Sequence, residues 1–291
     1  MKRFAIQTLA LLALLCGPCF AGQADDNEVP FSFEKGFVVA HATIKGDRPV
    51  DVLLSTGAEH SSIDTSLLSK YKLSAYYTSE GIVTGHNDKT VSFTTVSDVR
   101  LGSIKAASMN MRLGSLAEVS KRLGREIFGI LGTDFFKGRA VQFDFAKKTL
   151  RFLPQSEADA LKDAKAGRVV LRMVSYTNLI TMPVAEQVTY DGKAIKTLFD
   201  TGTVTVVALS FNSARQVGLK PPEKGTPLQG KVNSLRLDDY EMAAVPVALY
   251  PKGSDFDRDM KEFGAVAGTI LLQNFVVTFD FGNKLIILEH V

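Results

Sequence analysis

The chain has 291 residues, of which 45% are hydrophobic and 22% charged. This excludes a disordered chain and suffices for one or two packed domains. Its 34 Lys and Arg against 31 Asp and Glu leave a formal charge of +3 with no concentrated basic run, which excludes an electrostatic footprint for nucleic acid. Trp is absent, so the aromatic bulk of the core comes from 19 Phe and 7 Tyr.

The first predicted element is an export signal over residues 1–21. Lys2 and Arg3 form its positive start, Phe4 to Cys16 is apolar apart from Gln7 and Thr8, and Ala21 supplies the small residue of a cleavage site, with a second one after Ala24. The apolar run is shorter than the about 20 residues that span a bilayer. Leu15 stands where a lipid-anchored Cys16 calls for a small residue. The expectation is a periplasmic or secreted protein with no integral membrane segment after cleavage. Both cysteines, Cys16 and Cys19, fall inside the signal. The mature chain then has no disulfide, no thiolate metal site and no cysteine nucleophile. Loss of Lys2 and Arg3 takes the formal charge from +3 to +1.

Beyond the signal the pattern is mostly strand. Phe37 to Ile44, Val52 to Leu54, Thr90 to Leu101 and Met109 to Leu113 are rich in β-branched and large apolar residues. Gly46-Asp47 and Asp191-Gly192 read as hairpin turns. Short helices are predicted at Thr65 to Tyr71, Leu116 to Leu123 and Ser210 to Gln216. A connector over residues 155–167 is Ala-, Asp- and Lys-rich, with Ser156 placed to cap a short helix that Gly167 ends. It separates two lobes of similar size, residues 30–154 and 168–291.

The lobes repeat each other. Val52-Leu53-Leu54-Ser55-Thr56-Gly57-Ala58 has its counterpart in Thr197-Leu198-Phe199-Asp200-Thr201-Gly202-Thr203, an offset of 145. Phe128-Gly129-Ile130-Leu131-Gly132-Thr133 matches Phe263 to Thr269 with one extra residue, and Val141-Gln142-Phe143-Asp144-Phe145 matches Val277-Thr278-Phe279-Asp280-Phe281; these two share an offset of 136. Three motifs recurring in the same order point to a tandem duplication.

Asp-Thr-Gly alone is common in turns and caps. Here it recurs with an apolar-apolar-Gly motif downstream in each half, Ile130-Leu131-Gly132 and Val266-Ala267-Gly268. Phe199-Asp200-Thr201-Gly202-Thr203 resembles the active-site strand of the pepsin and retropepsin aspartic peptidases. Leu54-Ser55-Thr56-Gly57-Ala58-Glu59-His60-Ser61-Ser62-Ile63 looks like the same strand with Ser55 in place of Asp. The resemblance covers nearly all of the mature chain. It implies an all-β, two-lobed barrel fold with short helices, an extended polypeptide held across the cleft, and two carboxylates that share one proton and activate a water. That split of acid and base roles follows from placing two carboxylates about 3 Å apart, and this family is the standard example of it. Gly57 and Gly202 would permit the tight loops, and Thr56 and Thr201 would hydrogen-bond across to the opposite lobe.

Ser55 is the departure. A hydroxyl donates a hydrogen bond but is no acid near neutral pH, so Asp200 would be the one remaining acid–base residue. Loss of one such group costs about 10²–10⁴ in rate. Two functions stay open: an endopeptidase weakened by Ser55, or a non-catalytic relative that binds peptides or a protein partner. Glu59 is implied as a substrate-backbone binder. A flap is expected over Gly81 to Phe93 with Gly85-His86-Asn87-Asp88 at its tip, where His86 is a candidate ligand contact. No cofactor or metal is implied. A monomer is expected, because two linked lobes satisfy each other before a second copy can pair two Asp200 loops.

Rival constellations are weaker. Ser55 with His60 lacks the G-x-S-x-G elbow of serine hydrolases. His41, His60, His86 and His290 show no metal-ligand spacing. Asp144 and Asp280 sit among apolar neighbours and read as structural; Asp51 and Asp64 read as surface charges. Gly225 to Lys231 has phosphate-loop spacing, but Val232 follows where Ser or Thr is needed. Asp255-Phe256-Asp257-Arg258-Asp259 lacks the Gly and distal Glu of a calcium loop and reads as a polar loop.

Overall fold

The structure is a computed structural model that describes residues 27–46, 48–78, 91–163, 167–174, 182–260 and 262–290. The expected signal and the flap tip with His86 lie outside the described residues.

The protein is mostly β and two-lobed. In the first lobe, six strands close into a barrel: Phe37–Ile44, Arg48–Leu54, Gly129–Leu131, Ser62–Asp64, Ile104–Gly114 and Val91–Leu101, with Thr43 opposite Arg100 completing the ring. Val52, Leu53 and Leu54 are all buried because their strand lies inside the sheet, parallel to Gly129–Leu131 on one side and antiparallel to Phe37–Ile44 on the other. Covered on both faces, it reads as a continuous apolar run rather than an alternating one.

The second lobe repeats this order. Thr197–Phe199, Ala265–Ala267, Val207–Leu209, Tyr240–Leu249, Leu228–Leu237 and Val188–Tyr190 are neighbours in that sequence. Thr197–Phe199 is again buried throughout and parallel to Ala265–Ala267. This lobe stays a half-barrel, because Lys193–Ala194, the edge strand beside Val188–Tyr190, does not pair with Thr197–Phe199. The Asp191-Gly192 turn is as expected, with φ of 46° and 75° and Tyr190 facing Lys193.

A third layer ties the halves together. Arg168–Arg172, Leu285–His290, Phe275–Asp280, Ala140–Asp144, Thr149–Leu153 and Glu28–Glu34 lie side by side. In the middle, Ala140–Asp144 runs antiparallel to Phe275–Asp280 with Gln142 opposite Thr278. Those two residues are each other's repeat equivalents, so a local two-fold axis passes between them. Phe143 and Phe279 are fully buried there, edge to face with centroids 5.9 Å apart.

The helices are short and locally caused. Ser210 caps Phe211–Gln216 by accepting from Ser213 N, and Ala117–Leu123 ends at Gly124 in the left-handed region. Four expectations are corrected. Thr65 to Tyr71 is helical only over Thr65–Leu67, as a 3-10 turn. The connector helix is Gln155–Ala160; Pro154, not Ser156, holds its N-cap position without a side-chain bond, and the helix ends well before Gly167. Asp255–Asp259 is a helix, not a loop: Ser254 caps it, and Asp257 turns back to accept from Phe211 N and Gly253 N. Asp64 is buried rather than a surface charge, accepting from Ser66 N, Ser66 Oγ and Leu116 N. Asp144 and Asp280 hold the turns after their strands, receiving Lys147 N at 2.9 Å and Asn283 N at 2.8 Å.

Candidate active site

Ser55 and Asp200 stand one residue beyond the ends of the two buried central strands. Each is fixed by its own N–H: Ser55 N donates to Leu131 O at 3.0 Å and Asp200 N to Ala267 O at 2.9 Å. These acceptors lie in the two apolar-apolar-Gly segments, which pass behind the Thr-Gly loops. The approach is close: a Cβ on Gly132 would lie 2.4 Å from Ala58 O, and one on Gly268 2.3 Å from Thr203 O. Glycine is therefore required at both positions.

The two loops meet through their threonines. Thr56 Oγ1 donates to Phe199 O at 2.8 Å and Thr201 Oγ1 donates to Leu54 O at 2.9 Å. Each hydroxyl also accepts from the opposite threonine's N–H, both at 3.1 Å. Both threonines are fully buried. The four bonds obey the same two-fold symmetry as the Gln142–Thr278 pair, so the duplication places position 55 against position 200.

Ser55 Oγ donates to Asp200 Oδ1 at 2.8 Å. Gly57 N and Gly202 N donate to the same oxygen at 2.8 and 2.7 Å. Thr203 Oγ1 donates to Asp200 Oδ2 at 2.6 Å. Ser55 Oγ in turn accepts from Ala58 N at 3.1 Å. Ser55 and Asp200 are 6% and 7% exposed, and residues 57–60 and 202–206 form a half-buried rim around them. A Cβ on Gly57 would fall 2.5 Å from Asp200 Cγ, and one on Gly202 2.4 Å from Ser55 Oγ, so the floor has no room for side chains at either position.

The chemistry follows from the proton count. Asp200 receives three donors on Oδ1 and one on Oδ2, which leaves an acceptor place on Oδ2. Ser55 has one hydroxyl proton and gives it to Asp200. It fills the hydrogen-bonding place of a second carboxyl without supplying an acid.

Thr203 escaped the sequence reading. Its repeat equivalent, Ala58, has no hydroxyl, so comparing the halves gave no signal for it. Asp134 escaped as well. It receives Ser61 N and Ser61 Oγ, the latter at 2.6 Å, while Ser61 Oγ accepts from Gly132 N at 2.9 Å. It thereby locks the first Thr-Gly loop to the segment behind it. Glu59 is half-buried on the rim; its carbonyl accepts from Thr133 Oγ1 at 3.1 Å. His60 lies edge-on to Phe93, centroids 6.0 Å apart, and Phe93 stacks with Tyr76 at 6.2 Å, so the base of the expected flap adjoins the rim. Among the described residues no group of three or more His, Cys, Asp or Glu is placed to hold a metal ion. Nor is any described helix long and apolar enough to cross a membrane.

Residues 40–135, a span that contains both Ser55-Thr56-Gly57 and Ile130-Leu131-Gly132, match the aspartyl protease family. No curated protein matches the chain in sequence. Among solved structures it is similar to the aspartic proteinase from Irpex lacteus, with a TM-score of 0.53 and 13% identity over 91% of this chain and 97% of that one. That likeness gives the fold. The chain thus carries the aspartyl protease family's pattern over residues 40–135 and a two-lobed, pepsin-like fold throughout, and in both it resembles the pepsin/retropepsin-like aspartic peptidases.

Proposed function

We propose that this protein is an exported, peptidase-like protein that holds an extended polypeptide between its lobes. Asp200 is its one acid–base residue and takes the proton of an attacking water; Ser55 leaves hydrolysis slow. The observation that carries this reading is the 2.8 Å bond from Ser55 Oγ to Asp200 Oδ1 at the junction of the lobes. It supports a floor built like that of an acid pair but holding one carboxylate. The missing general acid lowers the rate by about 10²–10⁴, roughly 3–5 kcal/mol of barrier.

A second reading, a non-catalytic binding module, is favoured by the direction of the same bond. With the Ser55 proton donated to Asp200, nothing on the floor is left to protonate a scissile carbonyl. Cleavage of an unfolded protein from acid to neutral pH separates the two. Slow cleavage by the unaltered protein, lost in Asp200→Asn and raised at least tenfold in Ser55→Asp, is expected for the peptidase. An inert protein that gains cleavage only as Ser55→Asp is a binding module. Cleavage that persists in Asp200→Asn removes Asp200 from the mechanism.

A further inference from the structure

The floor of the site offers acceptors and no free proton. Ser55 Oγ, Gly57 N and Gly202 N all donate to Asp200 Oδ1, and Thr203 Oγ1 donates to Oδ2. Oδ1 is thus filled by three donors, while Oδ2 has one and keeps room for another. A carbonyl oxygen brought to this point meets an acceptor. A group rich in N–H protons meets a partner.

Charge narrows the choice. The loops 55–61 and 200–206 contain two carboxylates, Asp200 and Glu59, and no Lys or Arg. Among the described residues neither carboxylate takes part in an ion pair. A buried carboxylate gains most from a cation that is itself a hydrogen-bond donor. Shape narrows it again. A guanidinium binds a carboxylate best through both oxygens at once, and Oδ1 is already occupied. An ammonium is a compact point charge and needs only the one acceptor place left on Oδ2.

We propose that the site seats an ammonium group of its polypeptide ligand, a lysine side chain or a free α-amine, against Asp200 Oδ2. This rests on the binding-module reading above, since an ammonium on Oδ2 takes the place of an attacking water, and adds which group of the polypeptide is recognised.

Calorimetric titration of the full chain with three otherwise identical, extended, neutral decapeptides tests it. One is N-acetylated with a central norleucine, one is N-acetylated with a central lysine, and one has a free amino terminus with the central norleucine. An ammonium-bearing peptide is expected to bind about tenfold tighter or more than the first, the range of a hydrogen bond to a charged group. The lysine peptide or the free-amine peptide, whichever gains, identifies the source. In Asp200→Asn that ratio is expected to fall to about one, by the same accounting. Equal binding of all three peptides overturns the inference and leaves the polypeptide-binding reading standing. No binding by any of them removes both. A preference that survives Asp200→Asn also overturns it, because the ammonium then sits elsewhere. The peptide comparison uses the unaltered protein, so it decides the matter even if Asp200→Asn does not fold.

Discussion

At Thr56 one hydroxyl serves two partners across the lobe boundary, Phe199 O and Thr201 N, at 2.8 and 3.1 Å. Thr56→Val keeps the volume and removes both bonds. It strands a carbonyl and an N–H that water cannot reach, each worth about 1–3 kcal/mol when orphaned. The expected loss is therefore about 2–6 kcal/mol in denaturant unfolding. Thr56→Ser keeps the hydroxyl and is expected to lose clearly less. Equal losses for Val and Ser would show that the methyl packing, not the hydrogen bonds, holds the loops together. Residues of this kind were legible in the sequence because both copies keep them: Thr56 and Thr201, Gly57 and Gly202. Ser55 was legible for the same reason, since only the comparison with Asp200 reveals what it replaces. Thr203 was hidden because its counterpart, Ala58, cannot make the bond, and Asp134 because its counterpart in the other lobe is Ile270. A repeat exposes what both halves share; what one half adds alone needs three-dimensional neighbours.

The elements show the same division. Long apolar strands such as Phe37–Ile44 declare themselves by composition, and Ser210 and Gly124 mark helix ends through local chemistry. Asp64 and the helix Asp255–Asp259 do not, because distant chain decides them. Asp64 looks like a solvated residue in a polar stretch. It is buried because Leu116, 52 residues later, brings its N–H to the carboxylate. Burial alone would raise its pKa; the bonds from the Ser66 hydroxyl, Leu116 N and Ser66 N outweigh it and hold the carboxyl below its ordinary value. A carboxyl depressed in the folded state stabilises at pH values above its unfolded pKa. That contribution is lost as pH falls through the folded pKa. Asp64→Asn is thus expected to cost about 1.5–3 kcal/mol near neutral pH, with the gap to the parent protein closing as pH falls below about 4. Urea unfolding at several pH values checks this. A gap that stays constant into acid would mean that the charge of Asp64 contributes nothing to the fold.

At the scale of the whole molecule, the layer between the lobes determines whether the halves behave as separate domains. Three of its six strands come from the first half of the chain and three from the second, and the central pairing joins Ala140–Asp144 to Phe275–Asp280 across the two-fold axis. Phe143 in the first half faces Val277 of the second across this pairing and packs its ring on Phe279. Neither half can bury this surface without the other. The site depends on the same joint, because Ser55 and Asp200 stay within 2.8 Å only while the lobes hold one relative position. Phe143→Ala is expected to remove about 3–5 kcal/mol. The loss should appear as a downward shift of one cooperative thermal transition that carries both halves. Two transitions, with only one displaced by Phe143→Ala, would mean that the lobes melt independently. The floor of the cleft would then be held together by the hydrogen bonds between the two Thr-Gly loops, without help from the shared sheet, and the effects of Thr56→Val and Phe143→Ala on stability would add as for unconnected sites. With the shared sheet intact the two substitutions act on one joint, and the double variant is expected to lose measurably less than the sum of the single losses, by about 0.5 kcal/mol or more.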